Sequence, residues 1–182
     1  MTPDKFRAQI AGLTAQLAGR AIDADLDAWL NREHGAGSAT YAALKASCEA
    51  GVAEGWLCNR EGGGIKYGRI FKPADDLHGF SVDVVDMAPP RWAAPSKGQP
   101  PRGADAGTPV AGGEQDYIAG PHHVHPNGEI DLHMPLGSDA SFDGRPAGWV
   151  VMPPGSAHRP TVAAGRALVL YLLPQGAIEF TK

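Results

Sequence analysis

The stretch from Gly120 to His133, GPHHVHPNGEIDLH, holds four histidines and two carboxylates, and a further histidine closes Pro153-Pro-Gly-Ser-Ala-His158. Imidazoles and carboxylates crowded this closely suit metal ligation or proton transfer. In a strand, residues two apart share a face. His123 therefore goes with His125, and Glu129 goes with Asp131 and His133. Whether the two sets meet depends on the turn between them. Pro126 suits the first central position of a type I turn, and Gly128 suits the left-handed position that closes a three-residue loop. That register pairs His125 with Glu129 and turns all five side chains to one face, with His122 on the other. His158 then completes a set of three histidines and one carboxylate. Such N/O ligands suit Fe, Mn, Zn, Ni or Cu without choosing among them. Asp131 and His133 are candidate catalytic residues, either orienting the ligands or moving protons.

Strands must position these residues. From Tyr117 onward the chain reads as short strands with Gly and Pro between them, at 115–119, 121–125, 129–135, 148–152, 158–162, 167–173 and 177–181. This pattern predicts a double-sheet jelly roll. Leu168 to Leu173 is apolar throughout, as in a central strand. Phe80 to Asp86 alternates and predicts another strand. Tyr117 and Trp149 are expected to pack the barrel rather than stack on a ligand.

The first part of the chain reads differently. Phe6, Ile10, Leu13 and Leu17 recur at helical spacing, as do Ile22, Leu26, Trp29 and Leu30. Ser38 is placed to cap a third helix carrying Tyr41, Leu44, Cys48 and Val52. Trp56–Cys58 and Ile65–Phe71 predict a hairpin around Gly62-Gly63-Gly64. Residues 1–73 are thus expected to form a helical cap with a hairpin, and 74–182 the barrel. Residues 88–113, rich in Pro, Gly and Ala, are expected to be a long loop or insertion.

Three helices and a hairpin also describe a winged helix. Residues 1–58, however, carry five basic and seven acidic side chains, and the whole chain has net charge −4. A reader of DNA needs a basic face for phosphates, so no nucleic-acid partner is expected. No apolar run approaches a membrane span, and no apolar segment opens the chain. Neither a membrane partner nor a leader is expected, and the location is read as cytoplasmic. Cys48 and Cys58 form no CxxC pair and read as reduced, buried thiols.

His123-x-His125-x3-Glu129 and Pro153-x-Gly155-x2-His158 resemble the two motifs of the cupins. That resemblance implies a mainly β double-stranded β-helix, and the metal ligands His123, His125, Glu129 and His158. Two departures touch no ligand: Val162 stands where the motif often has Asn, and the Gly before Pro153 is one place off, at Gly148.

A narrower resemblance runs through Leu30–Tyr41, Gly51–Gly64, His125–Leu132 and Pro154–Thr161, which look like the 4-hydroxylaminobenzoate lyases of nitroaromatic-degrading bacteria. It implies a lyase that converts a small aromatic substrate, 4-hydroxylaminobenzoate, to protocatechuate and ammonia. The likeness to cupins also implies a homodimer. If the substrate is a benzoate, a cation for its carboxylate is expected, although Arg69, Arg91 and Arg159 each read more readily as solvated or paired. An iron-dependent dioxygenase using the same ligands, and a ligand sensor with the helices as effector, are the rival readings.

Overall fold

The computed structural model describes residues 1–90, 116–137 and 139–181. Most of the expected 88–113 loop, and Arg91 with it, lies outside the described residues.

Three helices come first: α1 (Pro3–Leu17), α2 (Ala24–His34) and α3 (Ala39–Ala53). Each begins at a side chain that accepts from free backbone N–H groups, Thr2, Asp23 and Ser38 respectively. None of the three is long and apolar enough to cross a membrane.

The strands follow: β1 (Arg60–Gly62), β2 (Ile65–Phe71), β3 (Phe80–Met87), β4 (Tyr117–Ala119), β5 (His123–His125), β6 (Glu129–Pro135), β7 (Ser141–Phe142), β8 (Gly148–Met152), β9 (Ser156–His158), β10 (Thr161–Ala163), β11 (Ala167–Pro174) and β12 (Glu179–Phe180). They form a six-stranded sheet, β1-β2-β3-β11-β6-β8, and two three-stranded sheets, β4-β10-β7 and β12-β5-β9. Every pairing is antiparallel. The fold is mainly β, one large antiparallel sheet and two small ones, with three helices packed on the large sheet.

Three local expectations are corrected. The first arm of the hairpin is Arg60–Gly62 and not Trp56–Cys58. The backbone N–H groups of Trp56 and Leu57 donate to Gly51 O and finish α3, and Cys58 is left-handed at φ 51. The expected strand 158–162 is two strands, β9 and β10, because Pro160 between them has no N–H to donate. Tyr117 is exposed rather than packed inside the barrel.

The central strands β6 and β11 of the large sheet are buried on both faces, which explains the unbroken apolar run of β11. Val82, Val84, Ile130, Leu132, Leu168, Leu170 and Leu172 face the helices and meet Phe6, Ile10, Leu30 and Leu44. Met87, Val150, Val169 and Tyr171 face the barrel interior and meet Ile118, Phe142 and Val162 from the small sheets. Trp149 lies on the helix side, where its Nε1 donates to His34 O.

Helix α2 also covers an edge of the large sheet. The Asn31 amide donates to Trp149 O and accepts from Trp149 N, both at 2.9 Å, as a neighbouring strand would. One helical turn earlier, Asp27 accepts from Val151 N at 3.0 Å and from both terminal nitrogens of Arg145 at 2.8 Å. An open β8 would be a template for pairing with another chain, and these two side chains close it.

Candidate metal centre

Two sheets build the centre between them. β5 pairs with β9, so that His123 lies directly opposite His158 and His125 opposite Ser156. Glu129 comes from the large sheet, at the start of β6. The expected hairpin pairing of His125 with Glu129 does not occur, because β5 and β6 belong to different sheets. The turn itself is as expected: Gly128 has φ 85, and its N–H donates to His125 O at 3.2 Å. The turn carries the chain from one sheet to the other, so Glu129 meets the histidines of β5 and β9 from across the barrel.

His123, His125, Glu129 and His158 each offer a donor atom, and the four atoms lie within 4.8 Å of one another. His125 Nε2 is 3.3 Å from Glu129 Oε1, His158 Nε2 is 3.4 Å from the same oxygen, and His123 Nε2 is 3.7 Å from Oε2. His123 Nε2 and His158 Nε2 are 3.1 Å apart. Donors about 2.1 Å from a shared ion sit roughly 3.0–3.4 Å from each other.

The far side of each ring is tied down. His123 Nδ1 lies 3.0 Å from Pro121 O, His125 Nδ1 3.0 Å from Ser156 Oγ, and His158 Nδ1 2.6 Å from Asp143 Oδ2. An oxygen at Nδ1 leaves Nε2 free to ligate. His125 and Glu129 are fully buried, yet His125 Nε2 and both Glu129 oxygens make no hydrogen bond among the described residues. Buried polar atoms are rarely left so. Aimed at a common point, they fit a divalent transition metal.

The charges agree with that. Burial alone would raise the Glu129 carboxyl, but His123 and His158 hold it down at about 2. Burial pushes His125 down to about 4. Burial also opposes charge on His158, but its bond to Asp143 and the nearness of Glu129 lift it to about 9. The two carboxylates thus favour the protonated form of His158.

Asp131 and His133 continue along the inner face of β6 from Glu129, and both are fully buried. None of their side-chain polar atoms has a hydrogen-bond partner among the described residues. Burial, reinforced by the charge of Glu129, raises Asp131 well above the usual carboxylate range. Burial lowers His133. In both side chains burial favours the uncharged form.

The sequence reading missed Asp143. With Gly144 it forms a two-residue turn, φ 50 and 76, closed by paired bonds between Phe142 and Arg145. Asp-Gly is a hairpin signal, but the two-residue strand before it, β7, carries no period to mark it. The other carboxylate oxygen of Asp143 accepts from Thr161 N at 2.8 Å, which fixes its aim at His158.

A model of the family described as PnbB, 4-hydroxylaminobenzoate lyase, matches residues 8–180. The chain belongs to the 4-hydroxylaminobenzoate lyase family. It is 31% identical over 172 residues to the 4-hydroxylaminobenzoate lyase of Pseudomonas putida, covering 91% of this chain and 88% of that protein. It is 30% identical over 171 residues to the enzyme of that name from Nocardioides sp. (strain LMS-CY), covering 91% of this chain and 86% of the other. The family makes the chain an enzyme of the lyase class.

Solved structures resemble it more loosely. Oxalate oxidase in complex with the substrate analogue glycolate matches at 17% identity and TM-score 0.38, over 66% of this chain and 57% of that one. A Cupin 2 conserved barrel domain protein from Salinispora arenicola CNS-205 matches at 16% identity and TM-score 0.34, over 63% and 79%.

Proposed function

We propose that this lyase converts 4-hydroxylaminobenzoate to protocatechuate and ammonia at the cluster formed by His123, His125, Glu129 and His158. The observation that carries the reading is the convergence of four donor atoms, in a chain of this family, beside the buried side chains of Asp131 and His133. The overall change consumes one water. The N–O and C–N bonds break, and the ring ends with two hydroxyls. The nitrogen is reduced by the two electrons that the ring gives up, so no external electron carrier is needed.

A divalent metal (Fe, Mn, Zn or Ni) held by the four ligands would supply Lewis acidity toward an N–OH or water oxygen. The chain's own groups handle the protons. Asp131, raised by burial, is placed to protonate a departing oxygen or nitrogen. His133, held neutral, is placed to take a proton from an entering water. Phe142, 6.0 Å ring to ring from His133, and the other apolar groups of the interior keep bulk water away from both.

Anaerobic incubation of the pure, metal-loaded protein with 4-hydroxylaminobenzoate tests this. The expected result is ammonia and protocatechuate in equal amounts. No ammonia release would remove the lyase reading, and turnover only with oxygen would favour the dioxygenase.

A further inference from the structure

The metal centre, Asp131 and His133 deal with the nitrogen end of the substrate and leave its carboxylate without a partner. The inner face of the large sheet offers one. Arg69 lies directly opposite Asp83, Asp83 opposite Tyr171, and Tyr171 opposite Asp131. These four side chains form one row across β2, β3, β11 and β6. On the inner face of β2, β3, β11, β6 and β8, Arg69 is the one lysine or arginine among the described residues; Arg60 lies a strand further out and is exposed.

The guanidinium is held but not used up. Arg69 Nε donates to both oxygens of Asp83 at 3.0 Å, and Nη1 reaches Gly176 O at 3.4 Å. Nη2 has no hydrogen-bond partner among the described residues. Asp83 therefore fixes the plane of the group while its Nη1–Nη2 edge stays available, and the side chain is 35% exposed. Two parallel N–H donors match a carboxylate.

The position is also right. Gly176 follows the end of β11, and the turn that delivers Glu129 reaches the same end, where Asn127 Nδ2 donates to Pro174 O at 3.4 Å. Arg69 thus sits at the end of the barrel that holds the metal centre. Burial, and the charge of Glu129 with it, raises Asp83, so the two carboxylates sense each other. Three strand spacings separate Arg69 from Asp131, about 14 Å at the backbone.

We propose that Arg69 binds the substrate carboxylate end-on through Nη1 and Nη2, with Asp83 as the positioning residue that aims it. The role rests on the lyase reading for its substrate, but its test needs no turnover. Binding of 4-aminobenzoate and of its neutral isostere 4-aminobenzamide to the metal-loaded protein is measured by calorimetry. The wild-type protein is expected to prefer the carboxylate by about ten- to a hundredfold, as for a hydrogen bond to a charged group. Arg69→Gln should bring the two ligands within about threefold of each other. It should raise KM for 4-hydroxylaminobenzoate by a similar ten- to hundredfold while kcat changes little. Equal binding of the two ligands by the wild-type protein overturns the proposal whether or not the variant folds. A folded Arg69→Gln that keeps the wild-type preference overturns it as well. A protein that prefers the carboxylate but releases no ammonia keeps the clamp and loses the lyase. Ammonia release without that preference loses the clamp alone.

Discussion

His123 Nε2 and His158 Nε2 face each other at 3.1 Å, from residues directly opposite in the β5–β9 ladder. Each ring has an oxygen at its Nδ1, Pro121 O for one and Asp143 Oδ2 for the other. With Nδ1–H donating to those oxygens, both Nε2 atoms present lone pairs. Two lone pairs at this distance repel unless a cation lies between or beside them. A proton on His158 meets that need in the free protein, and a metal meets it better, because Glu129 and His125 point to the same place.

Metal uptake should therefore depend on pH in a defined direction. His158 is raised from the ordinary 6.5 to about 9, so below that its proton must leave before the metal binds. Apparent affinity should rise as pH increases from 6.5 to about 9 and then level off, by up to about tenfold per pH unit for one displaced proton. The metal-free protein should behave oppositely. A raised histidine stabilises the fold fully below 6.5, and that contribution is lost as pH climbs through about 9. Metal titrations and urea melts across this range check both trends, and an affinity flat with pH would contradict them.

Asp143→Asn should weaken the centre while keeping the turn. Asn tolerates the left-handed conformation at this position, but it removes the charge that faces His158 Nδ1. Loss of such a partner costs about 10- to 100-fold in metal affinity. Competition against a chelator measures it, and an unchanged affinity would show that His158 is aimed by packing alone.

Asp131→Asn and His133→Ala separate chemistry from ligation. Neither residue belongs to the four-donor cluster. Metal content should stay at the wild-type level while kcat falls by about 10²–10⁴, the usual weight of a positioned acid or base. Loss of metal in either variant would instead make that residue a ligand or a support for one.

Asn31→Ala tests the link between cap and barrel. It leaves the buried N–H and C=O of Trp149 without their partner. The expected loss is about 1–3 kcal/mol, read from urea unfolding. A variant as stable as the wild type would mean that the edge of β8 is satisfied in another way.

The helices and most of the strands were legible in the sequence because their signals are local. Phe6, Ile10, Leu13 and Leu17 repeat at helical spacing, Asp23 and Ser38 mark helix starts, and β6 alternates from Glu129 to His133. The grouping of His123, His125, Glu129 and His158 was legible too, from spacing and from resemblance. The reason those residues meet was not. His125 and Glu129 are near in sequence, which suggested a hairpin, but the chain changes sheets at Gly128, and no local pattern reports a sheet change. Asp143, and the pairing of Arg69 with Asp83, were hidden for the same reason. Asp143 works on a residue 15 positions away and Arg69 on one 14 away, through pairings that only the assembled barrel defines.

The central claim is that the three imidazoles and the Glu129 carboxylate share one ion. Metal content per chain, measured by elemental analysis on wild-type protein and on folded His123→Ala and Glu129→Ala variants, tests it most directly. One equivalent is expected in the wild type, with a large loss in both variants. Unchanged metal content in either variant would contradict it.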